Sequence, residues 1–397
     1  MNNAKTKKRS VALCYAVNFL IAVILTSIGP SLPRLAEYFD LNYADLGLLF
    51  TFEAIGFTAF TFLSGIIADH IGKKRTMMLF LIMLTVSVFL WAFSLNYSFL
   101  NIMILVMGGG IGIVETMSNA LLSDLSEEGE KTYQINIMQC FFGLGAIAGP
   151  ILIGLVYSYG VSWRSVYLFL GFAFAAATVW FFINRFPPLP TAEKINLGDM
   201  KTLLADRKFL LICLSMLIYT GSEVGSWGWM AEFTESVMYF SVVESGAAVA
   251  VFWTAMTVTR LILARELHRI NMRKLIMGLS VSAGVMSALM GAADSKAFVW
   301  AVIALLGVAC SGIWANVLAY GAENYKKYSG TVFATLIASG GVGNTLVPGL
   351  MGLSGERFGL RWSLSIPAVL FCMIAVLFVI IPRLKSPAAE TVETRLK

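Results

Sequence analysis

Twelve long apolar runs constrain this chain more than any other feature of its sequence. A helix needs about 20 apolar residues to cross the hydrocarbon layer of a membrane. The chain has 397 residues, of which 58% are hydrophobic and only 13% are charged, so it has too little charge to cover a soluble surface. The runs lie near residues 11–31, 44–67, 76–95, 98–122, 134–157, 165–183, 209–231, 243–264, 275–293, 297–320, 329–353 and 363–382. We therefore predict an all-α membrane protein with twelve transmembrane helices.

The longest polar interruption divides the chain near its middle. It extends from Asn184 to Lys208 and contains Pro187, Pro188 and Pro190, which interrupt helical structure. We predict an N-terminal six-helix bundle over residues 1–184, a cytoplasmic linker over 185–208, and a C-terminal six-helix bundle with a short cytoplasmic tail over 209–397.

An internal repeat relates the two predicted bundles. Gly143–Gly154 in the fifth span is echoed by Gly341–Gly352 in the eleventh, and Pro150 is matched by Pro348 at an offset of 198 residues. This offset is half of the chain, so we predict two pseudo-symmetric halves. Parallel repeats of six helices, with a substrate held at their interface, are the architecture of major facilitator transporters.

The basic residues predict the orientation in the membrane. With both termini cytoplasmic, 23 of the 29 Lys and Arg residues fall on the cytoplasmic side, five on the other side and one, Arg260, within a span. Basic loops resist translocation, so we place both termini in the cytoplasm and the protein in the inner (cell) membrane. The clusters alternate with apolar runs, and we therefore expect no nucleic-acid binding despite the net charge of +6. The apolar run after residues 1–10 lacks a cleavage site, so we expect an uncleaved first span.

The sequence predicts neither an enzyme nor a metal or cofactor site. The two histidines, His70 and His268, fall in predicted cytoplasmic turns, and no nucleophile, base and orienting group are predicted to cluster. The five cysteines lie within apolar runs, where they read as small packing residues without paired spacing. They are Cys14, Cys140, Cys213, Cys310 and Cys372.

A motif of glycines and charges closes the second predicted span. It reads Gly65-x-x-x-Asp69-x-x-Gly72-Lys73-x-Arg75 and resembles the cytoplasmic signature loop of the major facilitator superfamily. We expect Gly65 to permit close helix approach and Gly72 to make the turn. Asp69 can pair with a basic group or face a helix end. A basic loop that only sets topology is the alternative, but the glycine and aspartate spacing favours a gating role.

Three carboxylates lie within apolar runs: Glu53 in span two, Glu115 in span four and Glu223 in span seven. Burying a charge in hydrocarbon costs several kcal/mol or more, so such residues usually face a water-filled cavity or a partner. Desolvation favours the protonated form, and alternating exposure to water on each side would let such a group load and release a proton. The alternative for each is a structural acid bonded to a neighbouring helix.

Amides and aromatic side chains accompany these acids. Glu115 and Asn119 are four residues apart and share one helix face. Amides and carboxylates bond hydroxyl groups while aromatic rings cover an apolar sugar face, so this composition suits a polyhydroxylated solute. Amides that hold helices together and aromatic residues at the membrane interface are the alternative. The further candidates for substrate binding are Asn136, Gln139, Tyr219, Trp227, Asn316, Tyr320 and Asn344.

Four longer segments resemble the fucose/proton symporter family and the related bacterial glucose permeases, and the similarity extends over all twelve spans. The segments are Gly112–Asn119, Asn136–Ile147, Tyr219–Glu223 and Gly340–Pro348. The resemblance implies the major facilitator fold. It also implies that Glu115 couples protonation to sugar binding, with Asn119, Gln139 and Glu223 at or near the sugar.

One position departs from that family. Fucose symporters carry an acid in span one shortly before a Leu-Pro pair, where this chain has Gly29, and Asn18 is the only amide of the span. This departure argues against fucose itself and against a mechanism with two acids. Glu53 lies where related permeases often have a neutral residue, and we hypothesise that it supplies a replacement acid.

Arg260, at the inner end of span eight, matches a basic residue common there in facilitator proteins. It is either a gating residue or a side chain that extends to the cytoplasmic surface, as long basic side chains do.

Together these features predict proton-coupled uptake of a hexose or related small polyol by alternating access. The expected partners are a small-molecule solute, protons and the lipid bilayer, and we expect a monomer. An antiporter that exports drugs or metabolites is the alternative, because Gly145-x-x-x-Gly149-Pro150-x-x-x-Gly154 partly matches an antiporter signature, although Asn136 stands where its first glycine belongs. A sensor that does not transport is a third possibility.

Overall fold

The computed structural model describes residues 2–126, 130–184, 203–266, 271–325 and 329–384. Within these residues, twelve helices are long and apolar enough to cross a membrane, as predicted. The first six are α1 (Asn2–Phe39), α2 (Tyr43–Ile71), α3 (Lys73–Ala92), α4 (Tyr97–Leu125), α5 (Lys131–Ser158) and α6 (Trp163–Ile183). The last six are α7 (Arg207–Val237), α8 (Val242–Glu266), α9 (Met272–Ala292), α10 (Lys296–Asn324), α11 (Ser329–Phe358) and α12 (Leu360–Arg383).

Several helices begin at side chains that cap their first turn. The Asn42 side chain accepts the backbone N–H of Asp45, whose carboxylate accepts the Asn42 N–H in return. Such reciprocal bonds satisfy two of the donors that a helix start leaves without a partner. Side chains at the starts of α4, α6, α7 and α9 also accept backbone N–H groups of the first turn; they are Asn96, Ser162, Asp206 and Asn271.

The observed helices are longer and less regular than the apolar runs predict. α1 continues to Phe39, well beyond the predicted end at residue 31. α7 continues past Gly228 through Met230–Glu232 into the π-helical turn Phe233–Val237. α10 is interrupted between Cys310 and Ile313. Hydropathy marks the hydrocarbon-spanning part of a helix, but helical hydrogen bonding continues into its polar ends and is redirected locally by tertiary contacts.

The described chain forms two compact units. One contains Met1–Glu193 with Met230–Trp253, and the other contains Lys194–Trp229 with Thr254–Lys397. In the first unit α2 packs on α4, α1 on α5, and α3 on both α4 and α6; in the second α7 packs on α11 and α9 on α12. The predicted linker falls largely on residues 185–202, which lie outside the described residues, and the predicted domain boundaries stay a prediction.

Glycines allow the backbones of α2 and α4 to approach closely. A Cβ atom at Gly56 of α2 would overlap the carbonyl oxygen of Leu105, and one at Gly108 of α4 would overlap that of Glu53. Association of helices in a membrane depends on this kind of close packing, because lipid is as apolar as the side chains it would replace. Gly65 was predicted to have this role and does not: a Cβ atom there would meet no described atom within 4 Å.

We predict that Gly56→Ala destabilises the protein, whereas Gly65→Ala leaves stability unchanged or raises it slightly, because alanine is favoured over glycine within a helix. The two substitutions add the same methyl group to the same helix, but only the first displaces a neighbouring backbone, at a cost of about 1–3 kcal/mol. Thermal unfolding of the purified protein in detergent, followed by intrinsic fluorescence, measures the difference. Equal melting temperatures for the two variants would contradict the close α2–α4 packing.

Candidate functional site

Glu53 and Glu115 come together in the first unit, on the facing sides of α2 and α4. Gly108, Gly112 and Glu115 follow at helical spacing and therefore share one face of α4. That face lies directly on α2, since a Cβ atom at Gly112 would come within 2.6 Å of the carbonyl oxygen of Phe57. The two carboxyl groups interact electrostatically, and both side chains are half-buried. Two of the three acids singled out in the sequence therefore lie on neighbouring helices of the same unit.

Asn119 lies one turn beyond Glu115 on the same helix. Its Nδ2 donates to the Glu115 carbonyl oxygen at 3.0 Å, and the side chain is half-buried. The amide therefore satisfies part of its hydrogen-bonding capacity within α4. Among the described residues neither Glu53 nor Glu115 has an ion pair.

The polar residues of α1 and α5 differ in their burial and in their hydrogen-bond partners. Gln139 is exposed, while Gln134, which the sequence did not single out, accepts a hydrogen bond from the Tyr15 hydroxyl. Asn18 is fully buried, and its Nδ2 donates to the Cys14 carbonyl oxygen at 2.9 Å. The Asn136 side chain lies outside the described part of the structure. Gln134 is therefore an α5 amide with a hydrogen-bond partner on α1.

The second unit holds the third acid, Glu223, in a cluster built from three helices. The Tyr219 hydroxyl, one turn before it in α7, donates to the Cys310 carbonyl oxygen at 2.7 Å and also contacts the Glu223 carboxyl group. Glu223 is 8% exposed and Tyr219 is fully buried. The positive charge of Arg260 in α8 acts on Glu223.

This cluster forms at the interruption of α10. A break in a helix leaves carbonyl groups without their usual donors, and in a membrane these groups need other partners. Arg260 Nε donates to the Ser311 carbonyl oxygen at 3.2 Å, and Asn316 Nδ2 donates to that of Gly312 at 2.6 Å. The interpretation of Arg260 as a side chain that extends to the cytoplasmic surface is therefore wrong. Its guanidinium group instead bonds backbone in the middle of a span.

The remaining candidates for substrate binding in the second unit lie in separate environments. Trp227 is buried, and Tyr320 packs edge-to-face against Phe378 with ring centroids 5.2 Å apart. Asn344 is half-buried, and its Oδ1 is shielded from solvent without a hydrogen-bond partner among the described residues. Asn316 serves the α10 interruption, which supports the alternative that amides hold helices together.

The loop between α2 and α3 has the turn that its motif predicts. Gly72 has φ of +86°, a conformation that favours glycine, and ends α2. Lys73 Nζ forms an ion pair with the Asp124 carboxylate at 2.7 Å, which ties the start of α3 to the end of α4. Arg75 is exposed, and the Asp69 side chain lies outside the described part of the structure. The sequence did not single out Asp124, because this residue adjoins a run of acidic residues with no distinctive spacing.

Twelve membrane-spanning helices, an internal repeat and carboxyl groups inside the spans define a polytopic secondary transporter. The family model of the Major Facilitator Superfamily matches residues 12–336, and the chain belongs to this family. It is a multi-pass membrane transporter rather than an enzyme.

Relatives and solved structures agree with this assignment. A protein described as "Protein TsgA homolog" from Buchnera aphidicola subsp. Baizongia pistaciae is 23% identical over 363 residues, which cover 91% of this chain and 92% of the relative. The crystal structure of the nucleoside transporter NupG matches with a TM-score of 0.78 at 16% identity, covering 96% of this chain and 100% of NupG. The E. coli fucose:proton symporter FucP matches with a TM-score of 0.64 at 16% identity, covering 94% of this chain and 98% of FucP. At these identities, the solved structures establish a shared fold.

We predict that Tyr219→Phe lowers the free energy of unfolding by about 1–2 kcal/mol, because it leaves the buried Cys310 carbonyl oxygen without its donor. Thermal unfolding in detergent measures the effect. Tyr159→Phe is the control, since Tyr159 is 83% exposed and loses its hydroxyl group at little cost. A Tyr219→Phe protein as stable as the control would show that the hydroxyl group does not stabilise the interruption of α10.

Proposed function

We propose that this transporter takes up a hexose or a related small polyol together with protons, by alternating access. The observation that carries the proposal is that Glu53 and Glu115 lie on the facing sides of α2 and α4, inside the membrane-spanning part of one unit. Each of these acids alone is compatible with a structural role. Two acids on the facing sides of packed helices, without an ion pair among the described residues, are better suited to proton binding.

The physical reason is the cost of like charges in a medium of low dielectric constant. Two carboxylates that share such a site repel each other, and binding one proton removes most of this repulsion. If the pair meets water first on one side of the membrane and then on the other, it can bind a proton and release it. Glu53 would then replace the acid that fucose symporters carry at the position of Gly29.

The groups offered to a solute are carboxyl, amide, hydroxyl and aromatic side chains. In the first unit Asn119 lies beside Glu115, and in the second Glu223 and Tyr219 lie near the cation of Arg260. Hydroxyl groups of a sugar can donate to carboxylates and accept from amides and guanidinium groups. The name of FucP, which shares the fold, describes a fucose:proton symporter and supports a solute of this class.

Orientation and location follow from the same proposal. The excess of basic residues in alternate loops supports a cytoplasmic location for both termini, and we propose the bacterial inner membrane as the location of the protein. In this orientation, an inward proton gradient can drive uptake if Glu53 and Glu115 bind a proton on the outer side and release it on the cytoplasmic side.

We predict that Glu115→Gln abolishes proton-driven uptake, because the resemblance to the fucose/proton symporter family implies that Glu115 couples protonation to solute binding. Glu53→Gln should lower uptake at least about tenfold, because the remaining acid has no neighbouring charge to favour proton binding. Uptake of radiolabelled solute into proteoliposomes under an imposed pH gradient measures both. Glu37→Gln is the matched control, because Glu37 is exposed at the end of α1. If Glu53→Gln transports like the control while Glu115→Gln is inactive, Glu53 does not replace the missing acid.

The solute class is tested by counterflow of labelled hexoses and polyols in proteoliposomes. Exchange of at least one hexose or polyol, inhibited by an excess of the unlabelled compound, is the expected result. Failure of every common hexose to exchange would refute the proposed solute class. Resistance to toxic compounds on expression, without any sugar uptake, would instead favour the exporting antiporter.

A further inference from the structure

A further buried acid, Glu232, lies near the end of α7 in the first unit. It is 4% exposed, which makes it more buried than Glu223. The predicted span ends at residue 231, so hydropathy placed Glu232 just outside the membrane segment. The observed helix continues through the π-helical turn Phe233–Val237 and keeps the carboxyl group inside the packed structure. Neither the acid pair of α2 and α4 nor the cluster around Glu223 involves it.

The two oxygens of Glu232 have different environments. The Ser236 hydroxyl group donates to Oε1 at 2.6 Å. Oε2 is shielded from solvent and has no hydrogen-bond partner among the described residues. A carboxylate oxygen that is buried without a donor loses its hydration and gains nothing in return, so an ionised Glu232 would be strongly disfavoured here.

An ion pair lies beside this carboxyl group. Both oxygens of Glu235 lie 2.7 Å from Nη1 of Arg34, which belongs to α1. The charges of Arg34 and Glu235 also act on Glu232. Tyr157 of α5 supports the arrangement, since the guanidinium carbon of Arg34 lies 5.3 Å from the centre of its ring. Arg34, Tyr157 and Glu235 are therefore the titratable and charged groups to be considered with Glu232.

The number of charges in this cluster determines whether Glu232 is protonated or ionised. Arg34 supplies one positive charge, and its contact with Glu235 uses that charge. Ionisation of Glu232 would add a second carboxylate to a partly buried pair, and an uncompensated buried charge costs several kcal/mol. Protonation of Glu232 leaves the cluster neutral.

We propose that Glu232 is a further proton-binding residue of this transporter, protonated while Arg34 is paired with Glu235. Loss of its proton makes Glu232 compete with Glu235 for Arg34, so that the ion pair between α1 and α7 is shared by two acids of α7. The proposal adds a proton site to the acids of the proposed function and does not depend on the identity of the solute.

Infrared difference spectroscopy tests the proposal on the full-length protein in lipid nanodiscs, because protonated carboxyl groups have a C=O band that carboxylates lack. Titration to alkaline pH should remove one band that is absent from Glu232→Gln and present in Glu244→Gln. Glu244 is a matched control, since its carboxylate accepts the Ser241 N–H at 2.7 Å in the first turn of α8. In Glu235→Gln the freed Arg34 can pair with Glu232, and the pH midpoint for loss of the band should fall by about one unit or more.

Three results would overturn the proposal. A Glu232→Gln spectrum that keeps every band of the unmodified protein would show that Glu232 is ionised. An unchanged midpoint in Glu235→Gln would show that its protonation is independent of the ion pair. Loss of the band on adding Na⁺ at constant pH would show a cation site instead.

If Glu232→Gln does not fold, Ser236→Ala decides the same question. Removing the hydroxyl donor to Oε1 should raise the frequency of the Glu232 band, and an unaltered spectrum would count against the assignment. None of these measurements uses a solute, so their failure leaves the proposed function to be judged by its own transport experiments.

Discussion

The requirement that backbone polar groups be satisfied without water underlies the rest of this structure. In hydrocarbon an unpaired N–H or C=O group costs several kcal/mol, so the spans are helices and departures from helix need specific partners. The interruption of α10 shows this directly. Its carbonyl groups at Ser311 and Gly312 are bonded by Arg260 and Asn316, and that of Cys310 by Tyr219. The groups around Glu223 are therefore partly structural, because they replace backbone hydrogen bonds.

The same environment of low dielectric constant sets the free-energy cost of a charged side chain within the spans. Four acids of the described spans illustrate three settings: beside another acid, near a cation that bonds backbone, and beside an ion pair that has already used its cation. The first setting is Glu53 with Glu115, the second is Glu223 with Arg260, and the third is Glu232. In the first and third settings, a bound proton removes an uncompensated charge. In a transporter built in this way, a few carboxyl groups account for most of the free energy of proton binding.

Much of this could be predicted from the sequence, and the misses have physical causes. Glu53, Glu115 and Glu223 stood out because charge within an apolar run is rare. Glu232 did not, because it falls just after the run, where acids are common, and the π-helical turn that keeps it buried has no hydropathy signal. Gly65 was assigned to helix packing from its place in a motif, yet Gly56 and Gly108 form the contact. Glycine spacing indicates that a close approach is possible, but only the partner helix decides which glycine makes it.

The sequence by itself determined the number of spans, the twofold repeat, the family and the acids inside the membrane. The spans and the acids within them depend on composition over about 20 residues of one helix, whereas the repeat and the family depend on motifs that recur along the chain. The tertiary structure alone decided that Glu53 meets Glu115, that Arg260 turns to the α10 interruption, and that Arg34 pairs with Glu235. These depend on the rotation and depth of one helix against another. Side-chain packing sets both quantities, because the lipid-facing and protein-facing sides of an apolar helix are almost equally hydrophobic.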